Sequence, residues 1–105
     1  MIVITRRDLS PGYQAIQASH AAIEFQHGHQ EIAKEWNQFS KYLVFLSVEN
    51  EEQLKELYCK AKDLGIRTSE FLEPDIENQL TAVALEPCQI SRKITSNLPL
   101  ALKQS

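Results

Sequence analysis

The chain has 105 residues, of which 43% are hydrophobic and 24% are charged. This composition is ordinary for a globular protein, and the length supports a modest core, so we expect residues 1–105 to form a single domain. The formal net charge of −3 argues against strong nonspecific binding of nucleic acid.

The sequence also bears on location. No run of 18 or more residues is apolar, and the amino terminus lacks a basic region followed by an apolar one. We therefore expect neither a membrane span nor a signal peptide, and a cytoplasmic protein. Cys59 and Cys88 lie far apart without the spacing of metal ligands, which is typical of reduced, partly buried thiols.

The first strand and helix are the best defined elements. Residues 2–5 are IVIT, β-branched at every position, which predicts a strand buried on both faces. Ser10 suits a helix N-cap, and Pro11 suits the first helical position, where its missing N–H costs nothing. The helix should run to about His27 and end at Gly28.

A helical wheel divides this first helix into two faces. The predicted core face carries Ala15, Ile16, Ala18, Ala22, Ile23 and Phe25. The opposite row is polar and carries Tyr13, Gln17, His20 and Glu24. This row indicates either a functional site or an ordinary solvent face with one packed histidine. On both interpretations Gln17 is exposed, and its replacement by alanine would cost little stability.

His27 and His29 raise the question of a metal site at the helix end. No cysteine or carboxylate cluster accompanies them, so we favour histidines that stabilise the helix dipole. A second helix is indicated by the spacing of Ile32, Trp36 and Phe39. Because Trp36 shares this apolar stripe, we expect it in the core rather than in a stacking site.

The middle of the chain reads as a strand followed by a helix. Residues 42–48, YLVFLSV, are nearly all apolar, which predicts a central strand covered on both faces. Asn50 should cap the helix with Gln53 as its partner, and Gly65 should end it. The predicted buried stripe is Leu54, Leu57, Tyr58, Ala61 and Leu64, and the charged outer face, which includes Glu51 and Glu52, should be only solvated.

The last third predicts two strands, a short helix and an apolar tail. Residues 67–71 and 80–85 read as strands, with a turn at residues 72–75 and a helix at 89–95. The tail at residues 98–102 is apolar enough to dock, and Pro99 restricts it to an edge. This order predicts an α/β fold, a single compact layer domain with a mixed four-stranded sheet flanked by helices.

Sites in α/β proteins gather where strands end and helices begin. The turn at residues 6–12 and the loop at residues 73–75 are such places. The predicted pocket combines Tyr13, Gln17, His20, Thr81 and one of two carboxylates, Glu73 or Asp75. It offers no Ser-His-Asp or Cys-His arrangement, so direct hydrolysis by an oriented water suits it better than covalent catalysis.

Two motifs connect this chain to a known family. Residues 4–9, ITRRDL, and 12–21, GYQAIQASHA, follow the patterns V-V-R-x-D-L and G-K-x-A-A-Q-x-x-H-A. Residues 81–87, TAVALEP, follow T-x-x-A-I-G-P. With its last helix and tail, nearly the whole chain resembles the archaeal and eukaryotic type of peptidyl-tRNA hydrolase, the second class of that enzyme.

The resemblance implies a hydrolase that cleaves the ester between a peptide and the tRNA 3′ ribose, with no metal or cofactor, and often a homodimer. By position, Gln17 and Thr81 match site residues of the family. Glu73 or Asp75 takes the place of its loop aspartate. Arg6, Asp8, Gly12 and His20 match its signature, with substrate binding expected of Arg6, Asp8 and Gly12.

Tyr13 stands where the family has a lysine. A phenol can donate a hydrogen bond but supplies no fixed positive charge. Two other functions therefore stay open: a non-catalytic relative that binds RNA ends, a nucleotide or a protein partner, and a hydrolase of a small molecule.

Overall fold

Within residues 1–103, which a computed structural model describes, the chain forms four strands and four α-helices. Their order and type confirm the predicted mixed α/β fold. The elements are β1 (Ile2–Arg6), α1 (Pro11–Gly28), α2 (Gln30–Phe39), β2 (Val44–Val48), α3 (Glu51–Asp63), β3 (Thr68–Glu73), a 3-10 turn (Pro74–Ile76), β4 (Gln79–Leu85) and α4 (Gln89–Thr95).

The strands form one sheet in the order β2-β1-β4-β3. β1 runs parallel to β2 and antiparallel to β4, and β4 is antiparallel to β3, so the sheet is mixed as predicted. Each face of the sheet carries its own core. On one face α1 packs with Phe25 against Val3 and Ala84, and on the other α3 packs with Leu54 against Ile4 and Val83.

The prediction that β2 is a central strand is wrong, because β2 lies at an edge of the sheet. Its outer side is covered by the tail of the chain. The Ser47 N–H donates to the Pro99 carbonyl and the Ala101 N–H donates to the Phe45 carbonyl, each at 2.9 Å. This docked tail confirms the predicted edge role, and it accounts for the apolar run that suggested a central position.

The predicted core face of α1 is wrong in part: Ala18 and Phe25 are buried as predicted, but the two isoleucines are not. Ile16 and Ile23 are 55% and 60% exposed. Two glutamines take part in the buried face, which consists of Gln14, Gln17, Ala18, Ala21 and Phe25. The physical reason is that both amides find partners inside the protein, as Gln14 does by donating to the Leu9 carbonyl at 2.7 Å.

Helix ends follow the predictions more closely. Ser10 caps α1 by accepting from the Tyr13 N–H, and Asn50 caps α3 by accepting from the Gln53 N–H. Gly65 follows α3 with φ of +78°, in the left-handed region where glycine has no Cβ penalty. Leu64, predicted to be buried, is 47% exposed because the helix ends one residue before it.

Two further points concern the apolar side chains and the strand ends. β3 continues to Glu73, so the predicted turn at residues 72–75 begins later than expected. Trp36 packs against the α1 core as predicted, whereas Phe39 is 81% exposed.

No helix among residues 1–103 is both long and apolar enough to cross a membrane.

The revised face of α1 can be tested by two truncations on the same helix. Phe25→Ala should lower the free energy of unfolding by about 3–5 kcal/mol, because it opens a cavity in a fully buried position. Ile23→Ala should change it by no more than about 0.5 kcal/mol, since that side chain faces solvent. Urea unfolding of both variants measures this, and equal losses would contradict the observed helix orientation.

Candidate active site

Three of the predicted site residues meet where α1 crosses the end of β3 and the start of β4. The Gln17 side-chain amide donates to Glu73 Oε1 at 3.0 Å. The Thr81 hydroxyl donates to Gln17 Oε1 at 2.5 Å. Gln17 and Thr81 are fully buried, while Glu73 is half-buried at the rim. The expectation of an exposed Gln17 is therefore wrong, and its replacement by alanine removes both hydrogen bonds of a fully buried amide.

The chemistry of these groups fixes which one donates and which one accepts in each of the two hydrogen bonds. An ionised carboxylate can only accept hydrogen bonds, so Gln17 must turn its NH₂ group towards Glu73. Its carbonyl then faces Thr81, whose hydroxyl must donate. The amide consequently has one orientation, and the carboxylate is held at a defined position at the protein surface.

A β-bulge in β4 turns the Thr81 side chain towards Gln17. Phe71 pairs with Ala82 and Leu72 pairs with Leu80, so Thr81 is an extra residue on β4. Leu80 packs into the α3 core and Ala82 into the α1 core, while the Thr81 hydroxyl also bonds to α1. Two successive side chains, those of Thr81 and Ala82, therefore face α1. Bulges of this kind redirect side chains beside active sites.

Tyr13 and Glu73 influence each other electrostatically. The hydrogen bond from Gln17 is the main cause that lowers the pKa of Glu73, and contacts with the Asp75 N–H, Tyr13 and His20 add to it. Partial burial raises the pKa of Tyr13, and the negative charge of Glu73 raises it further. At neutral pH the site therefore presents an ionised carboxylate beside a protonated phenol.

The structure distinguishes the two carboxylates that the sequence left as alternatives. Glu73 is bonded to Gln17, whereas Asp75 is exposed on the 3-10 turn that follows β3. The Asp75 backbone N–H points back to Glu73 Oε2 at 3.4 Å. Asp75 therefore contacts the site through its backbone, and its charge reaches the site only as a contribution to the raised pKa of Tyr13.

His20 lies on the exposed side of the same cluster. Its ring stacks on Phe71 with the centroids 4.3 Å apart and the planes 7° from parallel. The imidazole also borders a shallow groove of about 230 Å³ on α1, lined by Ala15, Ile16, Ser19, His20 and Ile23. The site thus combines a fixed polar chain with an open, mainly apolar surface.

Arg6 is engaged inside the protein. Its side chain is 7% exposed, and its guanidinium donates to both oxygens of Asp8, at 3.0 and 2.9 Å. Nη1 donates to Gln79 Oε1 at 2.8 Å and to the Leu80 carbonyl at 3.2 Å. Gly12 lies exposed at the start of α1. Substrate binding by Arg6, Asp8 and Gly12 stays a prediction. The contacts of Arg6 show that its side chain also holds the start of β4.

The candidate metal ligands lie apart from this site. Among residues 1–103 no group of three or more histidine, cysteine, aspartate or glutamate side chains is arranged to hold a metal ion. The His29 ring nitrogen instead lies 2.9 Å from the Thr68 carbonyl. Cys59 and Cys88 are free thiols, and Cys88 is half-buried as predicted. The prediction that Cys59 is partly buried is wrong, because that residue lies on the exposed face of α3.

The lowered pKa of Glu73 predicts a specific dependence of stability on pH. A carboxylate whose pKa is lower in the folded state contributes stability that is fully present above its unfolded pKa, about 4.3, and is lost as the pH falls through the folded pKa. The stability deficit of Glu73→Gln should therefore shrink as the pH falls below about 4.

Urea unfolding across this pH range measures the deficit. Glu70→Gln, at an exposed carboxylate on the same strand, makes the same change in charge and serves as the control. A deficit in Glu73→Gln that stays constant with pH, or that Glu70→Gln reproduces, would contradict the assignment of this hydrogen-bonded carboxylate.

Comparisons with known proteins identify the family of this chain. The sequence profile described as Peptidyl-tRNA hydrolase PTH2 matches residues 1–101. The "Peptidyl-tRNA hydrolase" of Thermococcus onnurineus is 30% identical over 111 aligned positions, which cover 94% of each chain. The "Peptidyl-tRNA hydrolase 2, mitochondrial" of Bos taurus is 37% identical over 75 residues. That second match covers 66% of this chain and spans 42% of the bovine protein. The chain belongs to the peptidyl-tRNA hydrolase PTH2 family.

Proposed function

We propose that this protein is a peptidyl-tRNA hydrolase, which uses water to cleave the ester between a peptide and the tRNA 3′ ribose. Family membership and the names of both relatives support this activity over a non-catalytic role. The observation that carries the proposal is the chain from Thr81 through Gln17 to Glu73, which ends in an ionised carboxylate at the surface.

Glu73 is the residue proposed to handle the attacking water. Its carboxylate accepts from Gln17 and keeps lone pairs free towards solvent. It accepts a hydrogen bond from water and takes its proton as the oxygen adds to the ester carbon. When the ester C–O bond breaks, that proton passes to the leaving 3′ oxygen. The products are the free peptide carboxyl group and the ribose hydroxyl.

Tyr13 is proposed to take part as a hydrogen-bond donor. Its phenol is protonated at neutral pH, since the ordinary pKa of a tyrosine is about 10 and that of Tyr13 is raised further. Its hydroxyl hydrogen can rotate from Glu73 towards a substrate oxygen. A donor aimed at the ester carbonyl stabilises the oxyanion that forms during attack. The phenol would thus supply part of what the family lysine supplies, without its fixed charge.

The remaining predicted residues take supporting places in this proposal. The stacked His20 ring forms the rim beside Glu73, and Asp75 holds the following turn through its backbone. The amino end of α1 offers the Gly12 N–H and a positive dipole end to a phosphate of the tRNA, while the Tyr13 N–H is bonded to Ser10. Arg6 and Asp8 act within the fold.

We also propose that the protein is a cytoplasmic homodimer. Phe39, Tyr42 and Leu43 are 81%, 51% and 48% exposed near one another in the chain, and they supply apolar area for an interface between two copies. Light scattering after gel filtration should give the mass of a dimer. A concentration-independent monomer mass would contradict this part of the proposal.

The activity is tested by hydrolysis of labelled peptidyl-tRNA by the purified protein, beside Tyr13→Phe and Tyr13→Lys. Wild type should hydrolyse the substrate. Tyr13→Phe should lower kcat by about 10²- to 10³-fold, because it removes one oxyanion donor and keeps the ring. Tyr13→Lys should retain activity, because its ammonium group offers both a donor and a charge.

Two outcomes would contradict the proposal in different ways. Activity only in Tyr13→Lys would mean that this chain keeps the fold but has lost the reaction. No hydrolysis by any of the three proteins, with tRNA still bound, would favour a binding protein. Gln26→Ala, at an exposed position of α1 outside the groove beside His20, serves as the control variant and should match wild type.

A further inference from the structure

We propose that Glu51 is a positioning residue, which together with Arg6 holds the backbone of the β4 bulge and so directs Thr81 towards Gln17. Glu51 lies outside the sequence motifs that this chain shares with its family. Its position on the charged outer face of α3 predicted only that it would be solvated. The effect on turnover rests on the proposed hydrolase function, while the effect on Thr81 does not.

The side chain of Glu51 points from α3 towards the sheet and not into solvent. It is the first residue of that helix, and its Oε2 accepts from the Leu80 backbone N–H at 2.8 Å. Its side chain is 28% exposed, against 62% for Lys55, whose ammonium group lies 3.6 Å from the same oxygen. The expectation that Glu51 is only solvated is therefore wrong.

Side chains from two other elements bind the backbone on either side of the extra residue. Leu80 donates its N–H to Glu51 and accepts at its carbonyl from Arg6 Nη1, at 3.2 Å. The Thr81 carbonyl accepts from the Thr5 hydroxyl at 2.8 Å. A bulge interrupts the ladder of strand hydrogen bonds, and these three side chains supply partners where it does so.

The bulge decides which face of the sheet Thr81 occupies. In a regular strand, alternation from Val83 and Leu85 would place Thr81 on the α3 face, since both of those residues pack there. A slip of one residue moves a side chain to the opposite face. Without the bulge, the Thr81 hydroxyl would lose Gln17, and Gln17 would lose the partner that orients its amide towards Glu73.

Glu52 offers a matched control for the other effect of Glu51. Both glutamates lie in the first turn of α3, where an acidic side chain stabilises the helix dipole. Glu52 is exposed, and Glu51 is the one that bonds to Leu80. Replacing each by alanine therefore removes the same dipole interaction, but only Glu51→Ala releases the Leu80 N–H.

The kinetic test compares Glu51→Ala, Glu51→Gln and Glu52→Ala in steady-state hydrolysis of peptidyl-tRNA. Glu51→Ala should lower kcat by about 10- to 100-fold with KM nearly unchanged, since a displaced Thr81 disturbs the reacting geometry. Glu51→Gln should recover most of the rate, because its side-chain carbonyl can still accept from Leu80. Glu52→Ala should match wild type.

A second measurement follows the bulge without turnover. In NMR spectra, Glu51→Ala should speed hydrogen exchange at the Leu80 amide by at least about tenfold and shift the Gln17 side-chain NH₂ signals, whereas Glu52→Ala should do neither. If wild type shows no hydrolysis, the proposed function fails while these signals still decide the role of Glu51. If Glu51→Ala does not fold, Glu51→Gln carries the test with a smaller change of the same sign.

The proposal is overturned if Glu51→Ala and Glu52→Ala give the same kcat, or if the Leu80 amide and the Gln17 signals are unchanged in Glu51→Ala. The proposal is also overturned if Glu51→Ala and Glu52→Ala both lower kcat and raise KM to the same extent, because the loss of helix stability alone would then account for the effect.

Discussion

The buried amide of Gln17 is the interaction on which the arrangement of this protein depends. An amide inside the interface between α1 and the sheet is costly unless both of its ends have partners. Thr81 supplies the donor from β4, and Glu73 supplies the acceptor from the end of β3. One side chain therefore fixes α1 against two strands and holds a carboxylate at the surface. The stability of the interface and the geometry of the site have the same origin.

Local signals predict most of the fold. Ser10, Asn50 and Gly65 mark helix ends through hydrogen bonds or φ values that involve only nearby residues. The buried face of α1 depends on distant partners instead. Gln17 bonds to residues 56 and 64 positions away in the chain, and no local pattern reveals such partners. Hydropathy alone therefore placed the isoleucines inside and the glutamine outside.

The same distinction applies to the site. The residue types and the family motif place Tyr13, Gln17 and Thr81 together, but they do not decide between Glu73 and Asp75. That choice depends on how far β3 extends before the 3-10 turn. The sequence does not predict the bulge either, because residues 79–85 have the pattern of an ordinary strand. Its partners come from elements distant in sequence, so Glu51 carries no local sign of its contact.

The substitution at position 13 shows how one framework can accommodate a different donor. A lysine brings a positive charge that would stabilise Glu73 as well as an oxyanion. A tyrosine is uncharged at neutral pH because its ordinary pKa is about 10, and partial burial and the charge of Glu73 raise the pKa of Tyr13 further. In the proposed mechanism the phenol supplies the donor directly. The negative charge of Glu73 is then needed for the attacking water, whereas Tyr13 keeps its proton at neutral pH without that charge.

In the proposed mechanism, the hydroxyl of Thr81 orients Gln17 and, through it, the carboxylate proposed to activate water. Steady-state hydrolysis of labelled peptidyl-tRNA by Thr81→Val tests this directly, because the substitution keeps the shape of the side chain and removes the hydroxyl. We expect kcat to fall by about 10²-fold with tRNA affinity retained, in a variant shown by circular dichroism to be folded. Wild-type kcat in the folded variant would contradict it.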